Sequence, residues 1–541
     1  MASSEPRSLA RGAAIITVAT ALSRITGFVR VAVVAAAMGT TFLANTYQTA
    51  NTAPNVVFEL VAAGVLTSIF VPTFVQYLVR GREDEGWEAG NALASVALVG
   101  LAGVAILLAL AAPLLMRFLT IGVDDPALRR DQIELGATFL RLFSPQVAFY
   151  GAGMIMTGAL HAHRRFALPA FAPLLNNVVV IAVYLTYSAM RAGRPPSVEG
   201  ITAGETLVLG AGTTLGVLAM TACLIPQLAR MGWRFRFRFD LSHPAVRKGA
   251  RLGVWALGYA GGYQAGLVVV LLLANGIEGG VAAYQWAYTF FYLPHALFAV
   301  PIFSVLFTAL SEHVARRESG PVQERLRDGL GMLVFVLAPT AVALFVLAGP
   351  IADVTLRYGA MTEEGATLVA RCLAAFAAGL PAYSIFLVFT RAFYAIGDTR
   401  VPALVNAGAV ASSSGLGALF FSMAPEGWEV PGLAAGHSAG FALGALVLAR
   451  AFSTRMGRVR STELMTTTLR ATGAALVAGI VMLFVAVFLP GSGAAGSLLT
   501  LVGAGGAGVA AYLASMGWGR SRELARIVAL LRGARPGSGR T

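Results

Sequence analysis

"GAAIITVATALSRITGFVRVAVVAAAM", residues 12–38, is an apolar run of 27 residues with two arginines, Arg24 and Arg30, well inside it. At about 1.5 Å per residue a helix of that length crosses the roughly 30 Å of a bilayer's hydrocarbon core. An ionisable group at membrane depth costs about 2.5–3.5 kcal/mol on insertion scales and faces protein or water rather than lipid. The run therefore reads as a membrane span with a polar duty. It is too long for a signal peptide and lacks a small-residue cleavage site.

The pattern recurs along the chain. Of 541 residues, 57% are hydrophobic and 12% charged, and the mean hydropathy is +0.73, far from soluble-globular averages. Long apolar runs predict 14 spans, among them 46–79 (span two), 132–160 (four), 250–275 (seven), 280–311 (eight), 364–395 (ten) and 430–452 (twelve). The expected fold class is an all-α polytopic membrane protein with 14 transmembrane helices. The net charge of +14 tracks topology: "RMGWRFRFRFDLSHPAVRKGAR" (230–251), "RAFSTRMGRVRSTE" (450–463) and the tail 519–540 alternate with the arginine-free "NGIEGG" (275–280) and "MAPEGWEV" (423–430). This positive-inside asymmetry predicts cytoplasmic termini and excludes a nucleic-acid partner, with Arg129, Arg130, Arg191 and Arg194 as outer exceptions.

Cys223 and Cys372 fall inside predicted spans and read as small buried hydrophobes. No His, Cys or carboxylate cluster has metal-ligand spacing, and no Gly-rich loop follows a strand that could hold a nucleotide phosphate. No acid–base pair offers a home for catalysis, so a transporter without cofactor or metal is expected rather than an enzyme.

Arg24 and Arg30 stand about 120° apart on a helix with Gly27 angularly between them, a wedge without a side chain where a bulky anion can approach. In span two Asn45, Gln48, Asn51, Asn55 and Glu59 recur at helical spacing and form a polar stripe, bent at Pro54. In span eight Gln285, Tyr288, Tyr292 and His295 share a face. These side chains predict a hydrated, cationic, hydrogen-bonding cavity near the bilayer midplane. Glu59, a lone carboxylate at depth, is expected to pair with Arg24 or Arg30.

"SRITGFVR" (23–30), "NTAPNVVFELVAAGVLTSIFVPTF" (51–74), "LPAFAPLLNN" (168–177) and "RAFYAIGDTRVP" (391–402) resemble, in order and spacing, the MurJ/MviN family. The resemblance implies the MOP exporter fold: lobes at 1–229 and 230–455 around a central cavity, an extra helix pair at 456–517 and a basic tail at 518–541. A faint echo between 160–177 and 393–408, six spans apart, fits paired lobes. It also implies a lipid II flippase of peptidoglycan synthesis in the bacterial cytoplasmic (inner) membrane, working by alternating access. Arg24 and Arg30 would bind the diphosphate of the undecaprenyl-linked precursor, because guanidinium forks grip phosphate oxygens in pairs. Implied partners are lipid II, the lipid bilayer and cell-wall synthesis or division proteins.

The chain departs from the family's pattern. Asn45 stands for an acidic residue, Phe58-Glu59 for an Arg-Arg pair, and Thr289 and Tyr292 for an Arg and a Glu. The carboxylates of a sodium site proposed for some relatives are absent from 252–267 and 401–420. Two alternatives stay open: a related exporter of another substrate, such as a polyprenyl-linked polysaccharide or a drug exchanged for a cation, and a non-transporting membrane scaffold or enzyme.

Overall fold

In hydrocarbon a backbone N–H or C=O has no water to bond, so apolar runs fold as helices that satisfy themselves. The computed structural model describes residues 5–65, 83–233, 235–242, 261, 264–316, 318–457, 461–489 and 493–518, and among these it is all-helical, without strands. The end of span two (66–79), the basic stretch 243–251, most of the first half of span seven and the tail from 519 lie outside the described residues.

The helices are α1 (Glu5–Met38), α2 (Phe42–Val65), α3 (Glu83–Leu119), α4 (Pro126–Phe143), α5 (Gln146–Ala162), α6 (Ala167–Arg191), α7 (Ala203–Ala222), α8 (Ile225–Arg230) and α9 (Gln264–Ala274). There follow α10 (Gly280–Pro294), a π turn (His295–Ala299), α11 (Val300–Ala315), α12 (Ser319–Val346), α13 (Ala348–Leu356), α14 (Glu363–Ala395), α15 (Arg400–Met423), α16 (Glu429–Met456), α17 (Ser461–Phe488) and α18 (Gly493–Trp518). Eleven helices among the described residues are long and apolar enough to cross a membrane. The expected spans missing from that set are two, four and seven, for different reasons. The polar stripe lowers the hydropathy of α2, span four is divided between α4 and α5, and span seven is described chiefly at Gln264–Ala274.

Prolines turn helices here more often than they end them. Between α4 and α5, Ser144 (φ −53, ψ −34) and Pro145 (φ −63, ψ −20) keep helical dihedrals, so the run bends where the proline removes an amide donor. Pro294 precedes the π turn at His295–Ala299 in the same way. Polar ends are capped: Thr202 and Glu205 form a reciprocal capping box on α7. Arg194, an outer exception to the charge pattern, reaches Glu205 Oε1 at 2.5 Å and donates to the Gly200 carbonyl at 3.0 Å.

The chain divides into two compact units, Met1–Ala282 with Tyr358–Met361, and Ala283–Arg357 with Thr362–Thr541. In the first unit α1 packs on α6, α6 on α7, and α2 on α4 and α5. In the second, α16 packs against both α14 and α15, and the pair α17–α18 packs on α12. That last seam is made of Ala471, Ala474, Ala475 and Ala478 against Val334, Phe335 and Ala338, and Tyr512 donates to the Phe335 carbonyl at 2.7 Å.

Glycines at 432, 436, 440 and 444 form a ridge along α16 at a spacing of four. A Cβ at Gly440 would stand 2.5 Å from Ser413 Cα, and one at Gly436 would collide with the Gly417 backbone. The ridge lets α15 and α16 meet backbone to backbone. Replacing Gly440 by Leu is therefore expected to cost about 1–3 kcal/mol through overpacking. The purified variant should melt below wild type, whereas Gly473→Ala, at a site with open space around it, should not.

Candidate functional site

In the first unit the C-terminal half of α1 carries Arg24, which is exposed, and Arg30, which is half-buried. The charge of Arg30 acts on the hydroxyls of Tyr47, Tyr150 and Tyr184, which sets its guanidinium near residues of α2, α5 and α6. Tyr47 Oη lies 2.6 Å from Thr213 Oγ1 and 3.1 Å from Tyr184 Oη. The Thr213 hydroxyl donates a hydrogen bond to the Leu209 carbonyl at 2.6 Å. Phe139 and Phe143 meet the Tyr47 ring edge-on at 5.5 and 5.4 Å, so this hydroxyl chain is held inside an aromatic wall.

Gly27 is turned toward α6 rather than left open. A Cβ there would meet Asn177 Nδ2 at 3.6 Å, and the same amide donates to the Ser23 carbonyl and to Thr26 Oγ1, each at 3.1 Å. Gly27 thus lies beside the Asn177 amide of α6 and is half-buried. The arginines themselves carry the anion-binding expectation.

Along α2 the stripe splits by depth. Gln48, Asn51 and Asn55 are half-buried and Glu59 is exposed, but Asn45 is wholly buried. Asn45 Nδ2 donates to the Ile277 carbonyl at 2.7 Å, and its Oδ1 accepts from the Val281 N–H at 3.1 Å. It therefore ties down the turn that opens α10, a correction to the lining role expected of it, because both ends of its amide are spent inside protein. Asn55 Nδ2 donates to the Asn51 carbonyl at 2.9 Å, while Asn51 Oδ1 is buried without a hydrogen bond. Glu59 accepts from Gln264 Nε2 of α9. Its observed partner is thus an amide, not the expected arginine.

In the second unit Gln285, Tyr288 and Tyr292 are half-buried on α10. The two tyrosine rings stack at 6.1 Å, and Thr289 Oγ1 donates to the Gln285 carbonyl at 3.0 Å. His295 is 1% exposed, with Nδ1 2.8 Å from Ser384 Oγ of α14. Burial against that hydroxyl removes it from the expected lining set.

Tyr47, Tyr150, Tyr184 and Thr213 escaped the sequence-based expectation. Tyr47 sits two positions from Asn45, about 200° round the helix, and reads there as core. The available signal was weaker: a tyrosine inside a membrane span needs a partner for its hydroxyl. Among the described residues no group of three or more His, Cys, Asp or Glu could hold a metal ion, and Cys223 and Cys372 are free thiols. What the first unit offers to phosphoryl oxygens is the guanidinium groups of Arg24 and Arg30, while the hydroxyls of Tyr47 and Tyr184 are engaged with each other and with Thr213.

Among the described residues the fold is that of a polytopic, all-helical membrane protein. The fold is shared with a solved structure of lipid II flippase MurJ in an inward closed conformation, with a TM-score of 0.74 at 20% identity over 92% of this chain and 97% of that one. It is also shared with an inward-facing multidrug resistance MATE family transporter of the MOP superfamily, at a TM-score of 0.65 and 13% identity over 81% and 96% of the two chains. The chain belongs to the lipid II flippase MurJ family, whose model matches residues 34–503. The probable lipid II flippase MurJ of Rhizobium tropici is 30% identical over 416 residues, 75% of each chain. The lipid II flippase MurJ of Burkholderia cenocepacia is 26% identical over 402 residues, 73% of this chain and 75% of that one.

The anchoring role of Asn45 is open to test. Asn45→Leu keeps much the same volume but removes both the donor to the Ile277 carbonyl and the acceptor of the Val281 N–H. It should lower unfolding stability by about 1–3 kcal/mol, the cost of a buried group left unpaired. A cavity-lining residue would accept the change, so an unaltered melting temperature would overturn the assignment.

Proposed function

We infer that this chain moves lipid II, the undecaprenyl-diphosphate-linked peptidoglycan precursor, from the cytoplasmic to the outer leaflet of the bacterial inner membrane. Membership of the MurJ family supports the substrate. The observation that carries the site is Arg30, half-buried on α1 and close enough to Tyr47, Tyr150 and Tyr184 for its charge to be felt there.

The mechanism follows from that chemistry. Arg24 and Arg30 neutralise the diphosphate, which could not otherwise enter a low-dielectric bundle. Gln48, Asn51, Asn55 and Glu59 on α2, with Gln285, Tyr288 and Tyr292 on α10, supply hydrogen bonds to the polar remainder of the substrate. The charge pattern of the loops supports cytoplasmic termini. The lobes are 1–229 and 230–455, with 456–517 as an added pair and 518–541 as a basic tail, and alternating access moves the substrate between leaflets. No bond of the substrate is made or broken, so the protein is a transporter rather than an enzyme.

Arg24→Ala and Arg30→Ala should each reach the membrane normally and fail to move lipid II. A hydrogen bond to a charged group is worth about 1.5–3 kcal/mol, so affinity should fall about 10- to 100-fold per arginine. Arg30→Lys should restore only part of it, since an ammonium cannot grip two oxygens at once. The assay is translocation of a fluorescent lipid II in proteoliposomes, read with a membrane-impermeant quencher. Wild-type rates in both alanine variants would refute the site.

A further inference from the structure

His437 lies on α16 in the second unit, eight residues from the helix start at Glu429 and inside an apolar span. It is 7% exposed, and neither Nδ1 nor Nε2 has a hydrogen-bond partner. A neutral imidazole always carries one N–H donor and one acceptor nitrogen. Two orphaned functions on a buried polar ring are a poor solution to packing alone. Ionisable residues retained in a membrane span mark ion or proton routes more often than structure.

The surroundings are aromatic. Phe291 and Tyr288 of α10 stand 5.8 and 5.7 Å from the imidazole centroid, Phe376 and Tyr383 of α14 stand 5.3 and 5.7 Å away, and Phe441, one turn along α16, stands 4.6 Å away. On the neighbouring face the glycine ridge presents Ser413 and Gly417 of α15 to α16. The ionisable groups facing His437 among the described residues are thus Tyr288 and Tyr383. Beyond them come Cys372, buried one turn before Phe376, and His295, whose ring lies 5.0 Å from Tyr383. The charged Arg371 of α14 is engaged elsewhere: it donates to the Gly427 carbonyl at 3.0 Å and lies over the Trp428 ring.

A second, independent feature falls at the same place. His295 opens the π turn of span eight, and its Nδ1 meets Ser384, the residue after Tyr383. π turns inside membrane helices collect at functional sites, because the extra residue lets the helix change register locally.

We propose that His437, connected to His295 through Tyr383, is a proton-binding site in the second unit that couples proton movement to transport. The identity of the cargo rests on the flippase reading above; the site itself does not. In the step, one proton from water on one side of the membrane adds to a ring nitrogen of neutral His437 and gives an imidazolium. That cation faces five aromatic rings, whose π faces attract positive charge. The proton later leaves to water on the other side, and only an N–H bond is made and broken. Uptake changes the charge buried beside α10, and the π turn is where that span can answer.

The test uses the full chain in proteoliposomes with lipid II carrying a fluorophore, an impermeant quencher outside and a pH-sensitive dye inside, the membrane potential being clamped with potassium and valinomycin. Wild type should move lipid II faster under a proton gradient, by up to about tenfold per pH unit for one coupled proton, with a matching proton signal. His437→Phe, which fills the cage, and His437→Gln, which keeps polarity, should both lose the gradient dependence and the proton signal. Either variant that elutes as a monodisperse helical protein suffices for the comparison. Lipid II movement by wild type with no gradient dependence and no proton signal would overturn the proton site and leave the flippase reading standing. No movement of lipid II in either condition would overturn the flippase reading, and the coupling with it. Full gradient dependence in a folded His437 variant would overturn the assignment to this residue.

Discussion

A guanidinium brought into a helix bundle must be solvated by protein, because hydrocarbon has nothing to offer it. In the first unit the charge of Arg30 is felt at tyrosine hydroxyls of three helices. Their hydroxyls must be held in turn, which is why Tyr47 is bound by both Tyr184 and Thr213. Thr213 finishes the chain on a backbone carbonyl of its own helix. The seam between α1 and α6 is closed by Asn177, which spends its amide on Ser23 and Thr26 beside Gly27.

In the second unit the half-buried Arg371 of α14 is spent on the Gly427 carbonyl and the Trp428 ring. The unit's α16 carries two functions on two faces. Glycines every fourth residue bring α15 to backbone contact, and the adjoining face turns His437 into rings from α10 and α14. Small residues and an ionisable side chain are linked here by geometry: the tight seam fixes the rotation of α16 and so fixes what surrounds the imidazole. The same economy of small residues recurs where α17 lays its alanines against α12.

Fold class was legible from hydropathy alone, since a bilayer leaves helices as the available solution for long apolar runs. Span counting was less secure wherever polarity or proline entered the run. The polar stripe of α2 lowers its hydropathy, and Ser144-Pro145 divides what reads as one run. Periodicity found the stripe but could not rank its members by depth. Asn45 and Asn51 lie on one face by spacing, yet the first is sealed against the 277–282 turn and the second stays half-buried. That difference depends on a partner more than 200 residues away, which no local pattern encodes. Glu59 was misjudged for the same reason, since Gln264 is distant in sequence. Tyrosines escaped because a period-based reading classes them with the core, and their hydroxyls become visible only once partners are in place.

The departures from the family's pattern follow a physical logic. In span eight the resemblance implies an Arg and a Glu where this chain has Thr289 and Tyr292. Thr289 donates into its own helix, and Tyr292 packs by its ring against Tyr288 and His295. Removing both members of a buried charge pair is often neutral or stabilising, whereas removing one is costly. In span two the resemblance implies an Arg-Arg pair where this chain has Phe58-Glu59, which would leave the proposed site with less positive charge. Phe58 now packs against Tyr150 at 5.0 Å, one of the tyrosines on which Arg30 acts. Glu59, left with Gln264, adds a negative charge where the pattern has positive ones. In the proposed reading the demand for anion binding within the first unit falls on Arg24 and Arg30 of α1.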